Sequence, residues 1–179
     1  MDLQLTPLEP ADAFRLRAAE GWLELGDTAS ANDELDQVST EFRMHPAVLF
    51  IRCLVYLRQE KWDLAADLSE TLTHLLPDVP EPWVNLAFAT RRKNGGSIMQ
   101  AKKILLKVEP HFPRQYVFPF NLACYCSQLG QFDEAERWLD KAMTIDGKMV
   151  RQMALQDDDL KPFLQSTNGT LWKNQHPPS

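Results

Sequence analysis

Glycine is scarce. The 179-residue chain holds 7, and β-branched residues show little alternation, so the pattern favours helix over sheet. Three cysteines do not make a disulfide framework in a chain of this size. No run approaches the roughly 18 continuous apolar residues that a spanning helix needs, so no membrane partner is expected. The opening stretch MDLQLTPLEPADAFRLR has neither a basic region nor an apolar core. It does not resemble a secretion signal, and a cytoplasmic protein is expected. Positive charge is in deficit, with 19 Lys and Arg against 25 Asp and Glu, a net charge of −6 and a pI near 5.2. Such a chain repels phosphate backbones, which argues against nucleic acid as a partner. No H-E-x-x-H, G-x-S-x-G or phosphate-cradling glycine loop is present. The stretch KNGGS, Lys93 to Ser97, is too short and lacks the G-K-[ST] ending. The sequence therefore predicts no catalytic residue, no metal site, no cofactor and no enzyme.

What is there is a period. Hydrophobic residues make up 44% and charged residues 25% of the chain, as in folded soluble proteins. The triplets Ala31, Leu35, Val38; Ala65, Ser69, Leu72; Ala101, Leu105, Val108; and Ala135, Leu139, Ala142 share one spacing. Their first residues lie 34, 36 and 34 apart. The turns before them read LGD, QEK, KNGGS and LGQ. Two extra residues in the third explain the longer interval. The periodicity predicts helix pairs 11–25 with 29–43, 46–59 with 62–76, 81–93 with 97–108, and 117–129 with 133–145. Asp63 and Asp133 suit helix N-termini. Pro46, Pro82 and Pro119 fall in first turns, where a missing N–H is harmless.

Two helices per 34-residue unit resemble the tetratricopeptide repeat (TPR), whose pattern is W-x2-L-G-x2-Y, then A-x3-F, then P. Trp83, Leu86 and Ala87 match its opening. Leu122, Ala123 and Cys126 take the Leu, Gly and Tyr slots of the last unit, and Pro77 closes the second. The resemblance implies an all-α right-handed superhelical solenoid of four hairpins, about 11–45, 46–80, 81–113 and 114–147. A lead (1–10) would precede it. A capping helix and turn (148–165) and a flexible tail (166–179) would follow, with Trp172 pinned against the body or a neighbour. The last unit and its D-x-D-L-x-P-F sequel look like the closing module of many bacterial TPR proteins. One hairpin cannot bury its own apolar face, so stacked units share a continuous core. Ala65, Ala87, Ala123, Ala135 and Ala142 would sit at close helix approaches, with Leu86, Leu122, Leu139, Trp62 and Phe132 filling between.

Cys124 and Cys126 point about 200° apart on one helix and cannot hold one metal ion. Cys126 belongs in the core, and Cys124 is expected to face the groove. Asp157 to Asp159 read as a solvated N-cap rather than a calcium loop.

TPR arrays bind peptides in a concave groove lined by the first helix of each unit. The resemblance places Leu16, Arg17, Glu20 and Glu24 there from the first unit, and Phe50, Ile51, Leu54 and Leu57 from the second. Val84, Asn85, Phe88, Arg91 and Arg92 come from the third, and Phe120, Asn121, Cys124 and Gln128 from the fourth. Asn85 and Asn121 share a slot that either grips a peptide backbone or faces water. Phe50, Leu54, Phe88 and Phe120 form an apolar row. Arg91 and Arg92 suit an acidic segment or a free C-terminus. The implied role is a non-enzymatic adaptor for a peptide segment of another protein, with self-association as a further possibility. The alternative is a small chaperone of the type III secretion kind that shields an apolar client segment.

Overall fold

The structure, a computed structural model, describes residues 6–176. Residues 1–5 of the expected lead and 177–179 of the expected tail lie outside them. The described residues are all-α. The chain divides into two compact units, Met1–Gly95 and Gly96–Ser179. The boundary falls inside the turn KNGGS, so the third expected repeat contributes one helix to each unit.

The first unit holds α1 (Pro10–Glu24), α2 (Thr28–Asp36), α3 (Pro46–Arg58), α4 (Trp62–Leu75) and α5 (Pro80–Thr90). Helices α1, α3 and α5 each open on a proline, whose fixed φ suits the first helical position. Asp27 caps α2, accepting the N–H groups of Ala29 and Ser30 at 3.1 and 3.0 Å. Helices α1 and α2 pair, α3 and α4 pair, α4 packs on α5, and α1 packs on α3. The alanines at the repeat slots let these helices approach closely: Ala31, Ala65 and Ala87 are fully buried, as are Leu35 and Leu72. Each buried Leu or Val adds roughly 1.5–3 kcal/mol.

Helix α2 is shorter than the periodicity predicts, ending at Asp36 rather than near 43. A tertiary contact competes with it. The Asp12 carboxylate of α1 accepts both the Ser39 N–H (2.8 Å) and the Ser39 hydroxyl (2.5 Å). Those bonds hold Ser39 extended at φ −55°, ψ 146°. The chain resumes as a 3-10 turn, Thr40–Phe42, and buries Phe42.

The second unit holds α6 (Ile98–Val108), α7 (Val117–Gln128), α8 (Phe132–Gln156), α9 (Lys161–Gln165) and α10 (Thr167–Gln175). Ser97 caps α6 through the Gln100 N–H at 3.2 Å. Helices α7 and α8 form a hairpin and α6 packs on α7. Ala101, Leu105, Leu122, Ala123, Ala135, Leu139 and Ala142 are fully buried among them. The helix of the expected capping region (148–165) is a continuation of α8, which runs on to Gln156. The break between the two parts is at Asp146, which has non-helical φ −146°, ψ 83°. Its Oδ1 accepts the Met149 N–H at 3.0 Å and so starts the second segment.

Residues 166–176 are not the flexible stretch that their polarity predicts. Ser166 caps α10 through the Gly169 N–H at 3.2 Å. A Cβ at Gly169 would collide with the Phe163 carbonyl, so only glycine allows α10 to fold back on α9. Trp172 is fully buried, edge-on to Phe163 at 6.4 Å, and donates its Nε1–H to Asp140 of α8 at 2.9 Å.

Candidate interaction groove

Helices α1 and α3 are the first helices of two successive repeats. Between them lies an open pocket of about 360 Å³ lined by Glu20, Leu23, Glu24, Ile51, Leu54, Leu57 and Arg58. The repeat builds it. Glu20 and Leu54 share one slot, Leu23 and Leu57 the next, and Glu24 and Arg58 the third, each pair 34 residues apart. Leu23 and Ile51 are largely buried at 6% and 7% exposure, while Leu54 and Leu57 are half-buried. The chemistry is an apolar floor with two carboxylates on one rim and a guanidinium on the other.

Glu20, Glu24, Ile51, Leu54 and Leu57 were all expected in the groove. Leu23 and Arg58 were not, although their slots relative to Leu57 and Glu24 identify them. Phe50, also expected there, is half-buried and packs into the core between α1–α3 and α4.

Of the other expected residues of the first unit, Leu16 is buried in the core, Arg17 stays exposed, and Phe88 and Arg92 are engaged within the fold. The Phe88 ring meets Trp62 edge-on at 5.8 Å. The Arg92 guanidinium lies 3.6 Å above the Phe88 ring centre and 5.5 Å from that of Trp62, and donates to the Phe88 carbonyl at 3.1 Å. Cation–π stacking therefore holds Arg92 on the fold. Arg91 is half-buried beside it. The Asn85 Nδ2 is shielded from solvent and has no hydrogen-bond partner among the described residues. A peptide carbonyl does not reach it in this conformation.

In the second unit the expected groove face of α7 is covered by the chain itself. Phe120 and Cys124 are each 2% exposed. The segment from Asp157 to Phe163 lies over the C-terminal half of α7, at Cys124, Ser127 and Gln128. Cys124 Sγ is 3.8 Å from Asp157 Oδ2, Gln128 Nε2–H donates to the Asp159 carbonyl at 2.9 Å, and the Ser127 hydroxyl oxygen accepts the Phe163 N–H at 3.1 Å. Asn121 turns its amide to its own helix, donating to the Val117 carbonyl at 2.8 Å. Phe120 and Cys124 are thus closed to a ligand, and the half-buried Asn121 has its amide N–H engaged by its own helix. Asp157 caps the short 3-10 turn Asp158–Leu160, accepting the Asp159 N–H at 2.8 Å, and this bend brings the chain back over α7.

The second unit also holds a polar cluster. Lys102 of α6 is 6% exposed and donates to Gln131 Oε1 at 2.8 Å and Glu134 Oε2 at 2.7 Å. Burial works against both charges, yet the pair prevails: the Lys102 ammonium is pushed up and the Glu134 carboxyl down. Cys126 beside them is fully buried, and that burial pushes its thiol up. Cys53 is likewise raised by burial, against a weaker opposing bond to the Ser69 hydroxyl at 3.1 Å. The cluster ties α6 to α8. Among the described residues no group of three His, Cys, Asp or Glu is placed to hold a metal ion. No helix among them is long and apolar enough to cross a membrane.

No family model matches the sequence, and no curated protein does. Solved structures do match. TTC0263, a thermophilic TPR protein of Thermus thermophilus, superposes with a TM-score of 0.67 at 20% identity, over 94% of this chain and 93% of that one. MamA of MSR-1 matches with a TM-score of 0.60 at 19% identity, covering 93% of this chain and 99% of that one. MamA of AMB-1 gives 0.61 at 19% identity, over 92% and 90%. The fold is of the TPR type. At these identities the likeness speaks of backbone alone.

Proposed function

We propose that this TPR chain is a non-enzymatic protein-interaction scaffold that takes an extended or helical segment of another protein into the α1–α3 groove of its first unit. The observation behind this reading is the pocket itself, an apolar floor open to solvent at the slots where successive TPR first helices meet. Apolar floors with a few charges at the rim are the usual character of peptide sites. Leu54 and Leu57 would contact an apolar ligand side chain. Arg58 would meet a carboxylate, and Glu20 and Glu24 a cationic group, so the rim would orient the segment. The expected basic anchor thereby moves from Arg91 and Arg92 to Arg58. A short segment that orders on binding should show affinity of roughly micromolar.

Selection of a displayed random-peptide library on the full chain tests this reading. Enriched peptides should share one or two apolar positions, and their binding should be lost in Leu54→Glu while the circular dichroism and melting of the variant stay unchanged. Absence of enrichment, or equal binding to Leu54→Glu, would overturn it.

A further inference from the structure

Helix α1 carries a second apolar face that the groove does not use. Leu16, Ala19 and Leu23 are buried against the unit, while Phe14 is 60% and Leu25 77% exposed. Phe14, Ala18, Gly21 and Leu25 follow one another at intervals of four, three and four residues. That is the spacing of a coiled-coil seam. At about 100° per residue the seam runs down the side of α1 opposite its buried face. Trp22, 38% exposed, lies next to it.

Gly21 gives a separate indication. A glycine inside a helix costs roughly 1 kcal/mol relative to alanine. A Cβ at Gly21 would meet nothing within 4 Å, so the monomer does not require the glycine. Close approach of another helix does require it. We infer that a second copy of this chain docks on this face, α1 against α1 in antiparallel register.

Charge selects the occupant and the direction. Along the seam from Phe14 to Leu25, Arg17 lies before the midpoint and Glu24 after it, both exposed and on the same flank. Antiparallel pairing layers Phe14 on the partner copy's Leu25 and Ala18 on its Gly21. Arg17 then faces Glu24 of the other copy, twice by symmetry. Parallel pairing makes neither contact and aligns the helix dipoles unfavourably. The small layers sit at the crossing point and the large ones where the helices diverge, which is how a close crossing is filled. Of the α1 residues that line the groove, Glu20 and Leu23 lie on a different face, while Glu24 belongs both to the groove rim and to the flank of the seam. Gly21→Leu and Arg17→Glu touch no groove residue and so separate this inference from the peptide reading.

Sedimentation of the full chain over a concentration series tests it. Wild type should show a reversible monomer–dimer equilibrium. Gly21→Leu should be monomeric with an unchanged circular dichroism spectrum. Arg17→Glu and Glu24→Arg should each weaken self-association about tenfold. An equimolar mixture of these two variants should dimerise again, because each then offers the other an opposite charge. A chain that stays monomeric throughout would overturn the inference. So would a dimer indifferent to Gly21→Leu, or charge variants that the mixture does not rescue.

Discussion

Glu60 adopts the left-handed backbone, φ +56°, that Gly26 adopts at φ +82° one repeat earlier. Gly130 takes it again at φ +71° in the last hairpin. The turn between the two helices of a repeat needs that conformation, and a side chain there is strained. Glu60→Gly is therefore expected to stabilise the chain by about 0.5–1 kcal/mol, since relief of strain exceeds the added chain entropy. Gly130→Ala should destabilise by a similar amount. Urea midpoints measure both, and a lower midpoint for Glu60→Gly would show the turn to be unstrained.

Trp172 fastens the last helix to α8. Trp172→Ala should lose about 3–5 kcal/mol, the range for deleting a buried aromatic. Trp172→Phe keeps most of the apolar contact and removes the bond to Asp140, so about 1 kcal/mol is expected. A denaturant series that finds Trp172→Ala neutral would show that α10 contributes nothing to the fold.

The Ser39 hydroxyl, and after it the Ser39 N–H, hold the Asp12 carboxyl below its ordinary 3.8, against a smaller opposing effect of burial. A folded-state value depressed in this way stabilises the chain above the unfolded value, and the gain disappears as pH falls through the lower folded one. Asp12→Asn should therefore melt below wild type at pH 7, and the gap should close on acidification below 3.8. A gap that stays constant down to pH ~2 would show that the carboxylate charge plays no part.

Cys53, Cys124 and Cys126 are all buried. In native buffer none should react promptly with a thiol reagent, and all three should react once unfolded. A fast native thiol would contradict the burial and reopen catalytic chemistry at Cys124.

The hairpins were legible in the sequence because they rest on local, repeated information. Alanine and leucine at fixed slots set which helix faces meet, and Pro46, Asp63 and Asp133 mark where helices start. The endpoint of α2 was not legible. It depends on Asp12 meeting Ser39, 27 residues away, a contact without periodic trace. The order of 167–175 was missed for a related reason. Its polar residues cover the surface, while a single tryptophan and one glycine decide the docking. The first-unit groove was readable through slot arithmetic. The loss of the last-unit groove was not, since a repeat pattern says which residues face inward and nothing about a later segment lying across them.

The segment from Asp157 to Phe163 makes the last hairpin its own ligand. A tethered segment competes at an effective concentration on the order of millimolar. A free peptide of micromolar affinity and cellular abundance loses that competition for the inner face of α7, unless binding first releases the segment. The two ends of the array therefore differ in what they answer to. Under the proposed function, the α1–α3 groove would respond to dissolved partners at their ordinary concentrations. The face of α7 becomes accessible only to something able to displace Asp157, Asp159 and Phe163 together.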